Sequence, residues 1–327
     1  KRIKKNKLSK KIIKEKSFFI KKTLPFSLTK SQEKVLNEIN EDLNSEKRMF
    51  RIIQGDVGSG KTIVSLLAIS NVIESGYQCA LMGPTEILAK QHFELAKKIY
   101  KDTNFKIDFL TGKTEIKERK KILENLEKGK TNLIIGTHAL FQKKINFKKL
   151  GLAIIDEQHK FGVKQRSELA KKGGNNCDVL LMSATPIPRT MMMSLYGDMD
   201  ISKITEKPDN RKKINTISKP EKKINELWPF LKKQILNKNQ IFWVCPLIEE
   251  SSFLDFSSAK KKFDLINKKF PNQVGLIHGA LNKNEKEIVL KRFLDKKISI
   301  LVSTTVIEVG IDFPNANLIV IENANKF

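Results

Sequence analysis

The octapeptide Gly55-Asp56-Val57-Gly58-Ser59-Gly60-Lys61-Thr62 constrains this chain more than any other stretch, because it fits G-x-x-x-x-G-K-[ST] at every fixed position. The apolar run Met49-Phe50-Arg51-Ile52-Ile53 precedes it and Ile63-Val64-Ser65-Leu66-Leu67-Ala68-Ile69 follows it. The first reads as a short buried strand and the second as a helix, so the motif sits in the strand–loop–helix context it needs. Gly55, Gly58 and Gly60 allow backbone angles at which successive N–H groups, that of Ser59 included, converge on one phosphate. The helix starting near Lys61 points its positive dipole end at the same anion. Lys61 is expected to reach the β- and γ-phosphates, and the Thr62 hydroxyl to ligate Mg²⁺.

Length and charge set the wider frame. At 327 residues the chain is long enough for two domains, at roughly 150 residues each. Its formal net charge is +26, from 62 basic and 36 acidic residues, which favours a polyanionic partner such as nucleic acid or an anionic membrane surface. The richness in Lys, Ile and Asn is also what AT-rich coding produces, so charge alone leaves both readings open. Cys79, Cys177 and Cys245 are widely spaced and match no zinc pattern, which fits a reducing cytoplasmic setting without a disulfide framework. No apolar stretch reaches the ~18 residues of a membrane span, and the basic N-terminus lacks a signal-peptide core.

Residues 1–22 carry 11 basic residues and one acid, Glu15, and read as a basic linker helix from a missing N-terminal domain or as a solvated arm. Apolar runs at 50–53, 79–82, 107–110, 132–135, 151–155 and 179–182 predict strands. Helical patterns at 31–43, 61–74, 86–100, 115–128 and 164–171 lie between them. Such alternation argues for a parallel sheet covered on both faces. After the polar break Lys207-Pro208-Asp209-Asn210-Arg211 the alternation restarts, with helices at 221–236, 258–269 and 283–294 and strands at 241–245, 274–277, 298–302 and 318–321. The expected organisation is a first ATP-binding lobe over 23–208 and a second, incomplete lobe over 209–327. The chain opens on Lys1 and stops at Phe327 just past an apolar strand, so both ends are expected to be internal to a longer protein.

The second chemical signal is Asp156-Glu157-Gln158-His159, directly after Leu152-Ala153-Ile154-Ile155. An apolar strand ending in adjacent carboxylates places them at the carboxyl edge of the sheet, beside the phosphate loop. There Asp156 would hold Mg²⁺ through water, and Glu157 would orient and deprotonate the attacking water.

These residues reach a family. The run Asp156-Glu157-Gln158-His159-Lys160-Phe161-Gly162-Val163-Lys164-Gln165-Arg166 resembles the superfamily 2 helicases, and most narrowly the RecG-type branched-DNA helicases. Met182-Ser183-Ala184-Thr185-Pro186-Ile187-Pro188-Arg189-Thr190 and Phe242-Trp243-Val244-Cys245-Pro246-Leu247-Ile248-Glu249-Glu250 carry the same likeness. So does Ser303-Thr304-Thr305-Val306-Ile307-Glu308-Val309-Gly310-Ile311-Asp312. The Mfd translocases are the nearest sibling, with Glu where Gln158 stands. The likeness spans roughly residues 23–327.

The resemblance implies an α/β fold of two tandem RecA-like P-loop lobes with mainly parallel sheets, the second truncated. It implies ATP and Mg²⁺, forked or branched DNA as partner, and a monomer. Gln32 would read the adenine edge, or simply follow a Thr29 helix cap. Thr85, Gln91 and His92 resemble a first DNA-contact motif, although Thr85 also suits a plain cap. Thr111 and Gly112, and Thr137 and His138, resemble two further backbone-contact loops, the former equally a short β-turn. Ser183 and Thr185 would couple nucleotide to DNA, and His159 would join that relay with a catalytic role beside Lys61, Asp156 and Glu157. In the second lobe Thr304 and Thr305 would touch the DNA backbone, or merely end a buried strand, while Gly310 and Asp312 would approach the nucleotide. His278 reads equally as a core residue.

The family's N-terminal wedge domain and its last, Gln- and Arg-rich motif do not appear in the sequence, so weak turnover is expected. Lys160 and Gly83 stand where Arg and Ala are usual. The expected function is an ATP-dependent helicase or translocase that remodels stalled forks and recombination junctions by moving on duplex DNA. The alternatives are an Mfd-like duplex translocase or a catalytically incomplete, nucleotide-gated DNA-binding module. A P-loop kinase or GTPase does not explain the two-lobe motif series.

Overall fold

The computed structural model describes residue 7 and residues 9–142, 144–156, 174–185, 199–206, 214–245, 252–304 and 313–324. The chain divides into two compact units, Lys1–Lys212 and Lys213–Phe327.

The first unit is built on seven strands: β1 (Phe50–Gln54), β2 (Gln78–Met82), β3 (Ile107–Leu110), β4 (Leu133–Gly136), β5 (Leu150–Ile155), β6 (Asp178–Ser183) and β7 (Asp200–Lys203). Helices α1 (Glu15–Thr23), α2 (Lys30–Asn44), α3 (Lys61–Glu74), α4 (Glu86–Ile99) and α5 (Ile116–Glu127) accompany them. The strand order is β3-β4-β2-β5-β6-β1-β7, and every pairing is parallel. Strands β2, β4, β5 and β6 are buried at every position, which is why their sequences are near-continuous apolar runs rather than alternating ones. Successive residues still face opposite ways: Ile53, Leu81 and Ile154 join one core, Ile52, Ala80 and Ile155 the other. Helix α3 is buried along most of its length because α1 and α2 both pack against it.

The short strand β7 is an edge strand beside β1, and no apolar run announces it: Asp200-Ile201-Ser202-Lys203 has one apolar residue. The predicted helix at 164–171 and the polar break at 207–211 lie outside the described residues.

The basic N-terminal segment is fastened to this unit. Lys7 and Lys10 place their Nζ atoms 2.6 Å and 2.5 Å from Asp178 Oδ2, with all three side chains fully buried. Asp178 Oδ1 accepts from Met49 N at 2.7 Å, so one carboxylate joins the segment to the first residues of β6 and to the residue before β1. Lys7 also donates to the carbonyls of Asp42 and Leu43, and Lys10 to that of Asn176. From there the chain enters α1, whose Ile20 is buried in the core.

The second unit holds four strands, β8 (Gln240–Val244), β9 (Val274–Ile277), β10 (Ile300–Ser303) and β11 (Ala316–Ile321), with helices α6 (Leu227–Leu236), α7 (Ser252–Lys269) and α8 (Lys283–Leu294). The order is β11-β8-β10-β9, again all parallel. Its core gathers around the fully buried Trp243, stacked on Trp228 with ring centroids 5.6 Å apart. Among the described residues, no helix is long and apolar enough to cross a membrane.

Candidate nucleotide and nucleic-acid site

The phosphate loop, Asp156, Ser183, Thr185 and the loops of Thr85, Thr111, Gly112, Thr137 and His138 lie at or just after the carboxyl ends of the strands of the first unit, where parallel α/β sheets place their ligands. Gln91 and His92 lie further along α4, and Gln32 at the start of α2. The phosphate loop follows β1. Gly58 and Gly60 have φ of +74° and +88°, the left-handed region that glycine enters without strain. At Gly55 an added Cβ would lie 2.6 Å from Ser59 Oγ and 3.0 Å from the Ile204 carbonyl, so the turn closes only around glycine. Lys61 Nζ donates to the carbonyls of Gly55 at 2.7 Å and Asp56 at 3.0 Å, curling the ammonium over the loop. Ser59 Oγ is buried with no hydrogen-bond partner among the described residues. A cradle of left-handed glycines, a curled ammonium and an orphaned hydroxyl fit a polyphosphate, and Thr62 and Asp156 supply the oxygen donors that a hard cation prefers.

Gln32 is only 2% exposed, and both ends of its amide are engaged within the protein. Its Nε2 donates to Ser59 O at 2.8 Å, and its Oε1 accepts from Thr29 N at 2.9 Å. Thr29 Oγ1 in turn accepts from Gln32 N, which completes a capping box at the start of α2. Gln32 therefore ties α2 to the phosphate loop.

Asp156 follows β5 and is 6% exposed. Its Oδ2 lies 2.7 Å from Nε2 of His92, and its backbone N–H donates to Met82 O at 2.9 Å. His92 is 4% exposed, and its ring is directed at the carboxylate.

Ser183 ends β6. Its hydroxyl pairs with Thr185 Oγ1 at 3.1 Å and accepts from Thr185 N at 3.2 Å, and its carbonyl accepts from Gly55 N at 3.3 Å. Ser183 of the expected coupling pair thus touches the phosphate loop directly, and Thr185 reaches it through Ser183. Gln54, which sequence reasoning passed over, ends β1 with a buried Nε2 that has no partner among the described residues.

The remaining described candidates of the first unit lie on the other half of the edge. Thr85 Oγ1 accepts from Leu88 N at 3.2 Å, capping α4, whose first-turn amides face the carboxyl edge. Gly83 lets that helix sit close: a Cβ there would be 3.0 Å from Ala89 N, tight enough that Ala would require a shift of a few tenths of an ångström. Gln91 is partly exposed on the same helix. Thr111 is buried, and its hydroxyl accepts from Lys113 N at 3.2 Å, so it builds the turn, while Gly112 lies open. Thr137 is buried before a single turn of 3₁₀ helix, and His138 is exposed beside it. In the second unit Thr304 is 1% exposed at the end of β10, so its side chain is enclosed. Glu157, His159, Thr305, Gly310 and Asp312 lie outside the described residues.

Comparison with known proteins accounts for this arrangement. Residues 29–194 match the DEAD/DEAH box helicase family, and residues 222–326 match the helicase conserved C-terminal domain. The ATP-dependent DNA helicase RecG of Thermotoga maritima is 47% identical over 308 residues, which is 94% of this chain and 39% of that protein. The Bacillus subtilis RecG is 45% identical over 308 residues, 94% of this chain and 45% of that protein. The chain thus spans less than half the length of these relatives. A structure of RecG bound to a three-way DNA junction superposes with a TM-score of 0.86 at 42% identity, covering 98% of this chain and 42% of that one. The DEAD-box helicase Mss116 bound to single-stranded RNA superposes with a TM-score of 0.66 at 20% identity, which speaks for the fold alone. The two units are tandem RecA-like helicase domains, and the chain belongs to the DEAD/DEAH box helicase family and is of the RecG type.

Proposed function

We propose that this chain is the ATP-driven motor core of a DNA helicase that remodels branched DNA, at stalled forks and recombination junctions, by moving on duplex DNA. The observation that carries the reading is the carboxyl edge of the seven-stranded sheet. Its phosphate loop and Asp156 lie on one half and the Thr85, Thr111 and Thr137 loops on the other. The likeness to RecG proteins, one of them bound to a three-way DNA junction, supports the substrate class.

In this reading the β- and γ-phosphates of ATP settle on the amides of residues 58–62, and Lys61 Nζ exchanges the Gly55 and Asp56 carbonyls for phosphate oxygens. Mg²⁺, when held by Thr62 and Asp156, supplies charge neutralisation for the phosphates. Because Gly55 N–H is bonded to Ser183 O, any shift of the loop is felt at Ser183 and Thr185. Glu157 is the residue proposed to orient the attacking water, with His159, Gly310 and Asp312 as the further nucleotide-side contacts. On the DNA half, the amides at the start of α4 hold a phosphate, with Gln91, Gly112, Thr137 and His138 as backbone contacts; in the second unit, Thr304 and Thr305 are the proposed backbone contacts. Such gripping carries no sequence information and weakens steeply with salt.

The test is ATP hydrolysis with and without a three-way DNA junction, with Lys61→Ala as control. Junction-stimulated turnover that Lys61→Ala abolishes is the expected result. Turnover indifferent to DNA, or surviving Lys61→Ala, would overturn the proposal.

A further inference from the structure

The strand order β3-β4-β2-β5-β6-β1-β7 splits the carboxyl edge at one place. The loops after β3, β4 and β2 are the candidate DNA contacts, and those after β5, β6 and β1 carry Asp156, Ser183 and the phosphate loop. The two halves meet where β2 pairs with β5, Met82 lying opposite Ile155. Across that seam runs a buried side-chain bond, His92 Nε2 to Asp156 Oδ2 at 2.7 Å, with side-chain exposures of 6% and 9%. An ionised carboxylate only accepts, so the imidazole is the donor.

His92 belongs to α4, the helix that follows β2 and whose first turn is capped by Thr85. Seven residues separate Thr85 from His92, so the phosphate-facing end and the carboxylate-facing ring lie on one face of one rigid element. The helix is closely packed on the sheet. Ala89 and Ala96 are fully buried beneath it, and Ala89 N would lie 3.0 Å from a Cβ on Gly83.

We propose that His92 is a positioning residue that couples DNA binding to the nucleotide site. Its bond sets the orientation of the Asp156 carboxylate according to where α4 sits, so a DNA phosphate at the α4 N-terminus and a Mg²⁺–nucleotide at Asp156 stabilise each other's sites. This rests on the motor reading above. A partner that orients a metal-holding carboxylate typically changes metal affinity or activity by about 10–100-fold when removed, and coupling between two ligands is reciprocal.

The experiment measures the affinity of a fluorescent, non-hydrolysable ATP analogue for the whole protein, with Mg²⁺ or with EDTA, and with or without a three-way DNA junction. His92→Ala and His92→Gln are compared with the unaltered protein. In the unaltered protein the junction should raise Mg²⁺–nucleotide affinity by about tenfold. In His92→Ala that factor should fall below about twofold, while binding in EDTA, which uses the phosphate loop alone, stays unchanged. His92→Gln, whose amide keeps a donor, should recover most of the factor. An undiminished factor in His92→Ala overturns the role of His92 alone. Equal defects in Ala and Gln, or a matching loss in EDTA, show a merely structural residue and also overturn it. A factor of one in the unaltered protein overturns the motor reading, and the proposal with it.

Discussion

Gln32 and Gly60 are fitted to each other so closely that a methyl group on Gly60 would lie 2.3 Å from Gln32 Nε2. The same nitrogen donates to Ser59 O, the carbonyl just before Gly60. The phosphate loop therefore owes its shape to a side chain from α2 as well as to its own glycines. Gly60→Ala adds a steric clash to a φ of +88°, where an L-residue costs about 1–2 kcal/mol. It should lower nucleotide affinity by at least about tenfold, equivalent to 1.4 kcal/mol, with the overall melting transition little changed. Titration calorimetry decides it; an unaltered Kd would refute the fit.

Gln32→Ala tests the tether itself. It strands Ser59 O and Thr29 N, which each lose a partner. Leaving a buried polar group unpaired costs about 1–3 kcal/mol, so nucleotide binding should weaken for every base. A Gln32 that only read adenine would instead make the loss specific to ATP over other nucleoside triphosphates. Comparing ATP with GTP and CTP in both proteins separates the two roles.

The Asp178 knot should matter for stability, far from any chemistry. Asp178→Ala leaves the fully buried Lys7 and Lys10 side chains without their carboxylate and Met49 N without its acceptor. Breaking a buried pair by removing one partner typically costs 3–5 kcal/mol, on the order of a third of a domain's stability. Replacing Lys7, Lys10 and Asp178 together by apolar residues should cost much less, because no charge is then stranded. Denaturant unfolding of the first unit, followed by circular dichroism, compares the two variants. Equal losses would mean the knot acts through packing and not charge.

Much of this was legible in the sequence because the physics was local. The runs Leu152-Ala153-Ile154-Ile155 and Leu180-Leu181-Met182 became fully buried parallel strands because a sheet covered on both faces demands apolar residues at every position. The phosphate loop was legible because left-handed turns demand glycine, and Gly58 and Gly60 supply it. What could not be read were relations between distant residues. Nothing in Lys7 or Lys10 announces Asp178, which lies 171 and 168 residues away. The resemblance assigns His92 to a DNA-contact motif, and only the β2–β5 pairing brings it to Asp156, 64 residues on. Strand β7 was missed because an edge strand needs few apolar residues to hold its place.

The cysteines should be silent in the native state. Burial pushes the thiols of Cys177 and Cys245 up to about 12, and that of Cys79 well above its ordinary range. The thiolate is the reactive form, so an aromatic disulfide reagent at mildly alkaline pH should modify none of them until denaturant is added. Stoichiometric release from the native protein would contradict their enclosure.

The second unit should have its own pH response, and the sequence provides a clean way to see it. Burial, and then the Lys286 ammonium, lower His278 below 6.5, with Glu285 acting in the opposite direction. A base whose pKa is lowered by folding binds its proton more readily in the unfolded chain. Its contribution to stability is therefore complete above 6.5 and is lost as pH falls through 6.5 toward the folded value. Both tryptophans of the chain, Trp228 and Trp243, stack within this unit, and the other three histidines, His92, His138 and His159, precede Lys213. Tryptophan fluorescence thus follows the unit in which His278 is the only histidine. The urea midpoint read this way should drop between about pH 7.5 and 5.5, and His278→Asn should flatten that slope. A slope that survives the substitution would place the titrating group elsewhere in the unit.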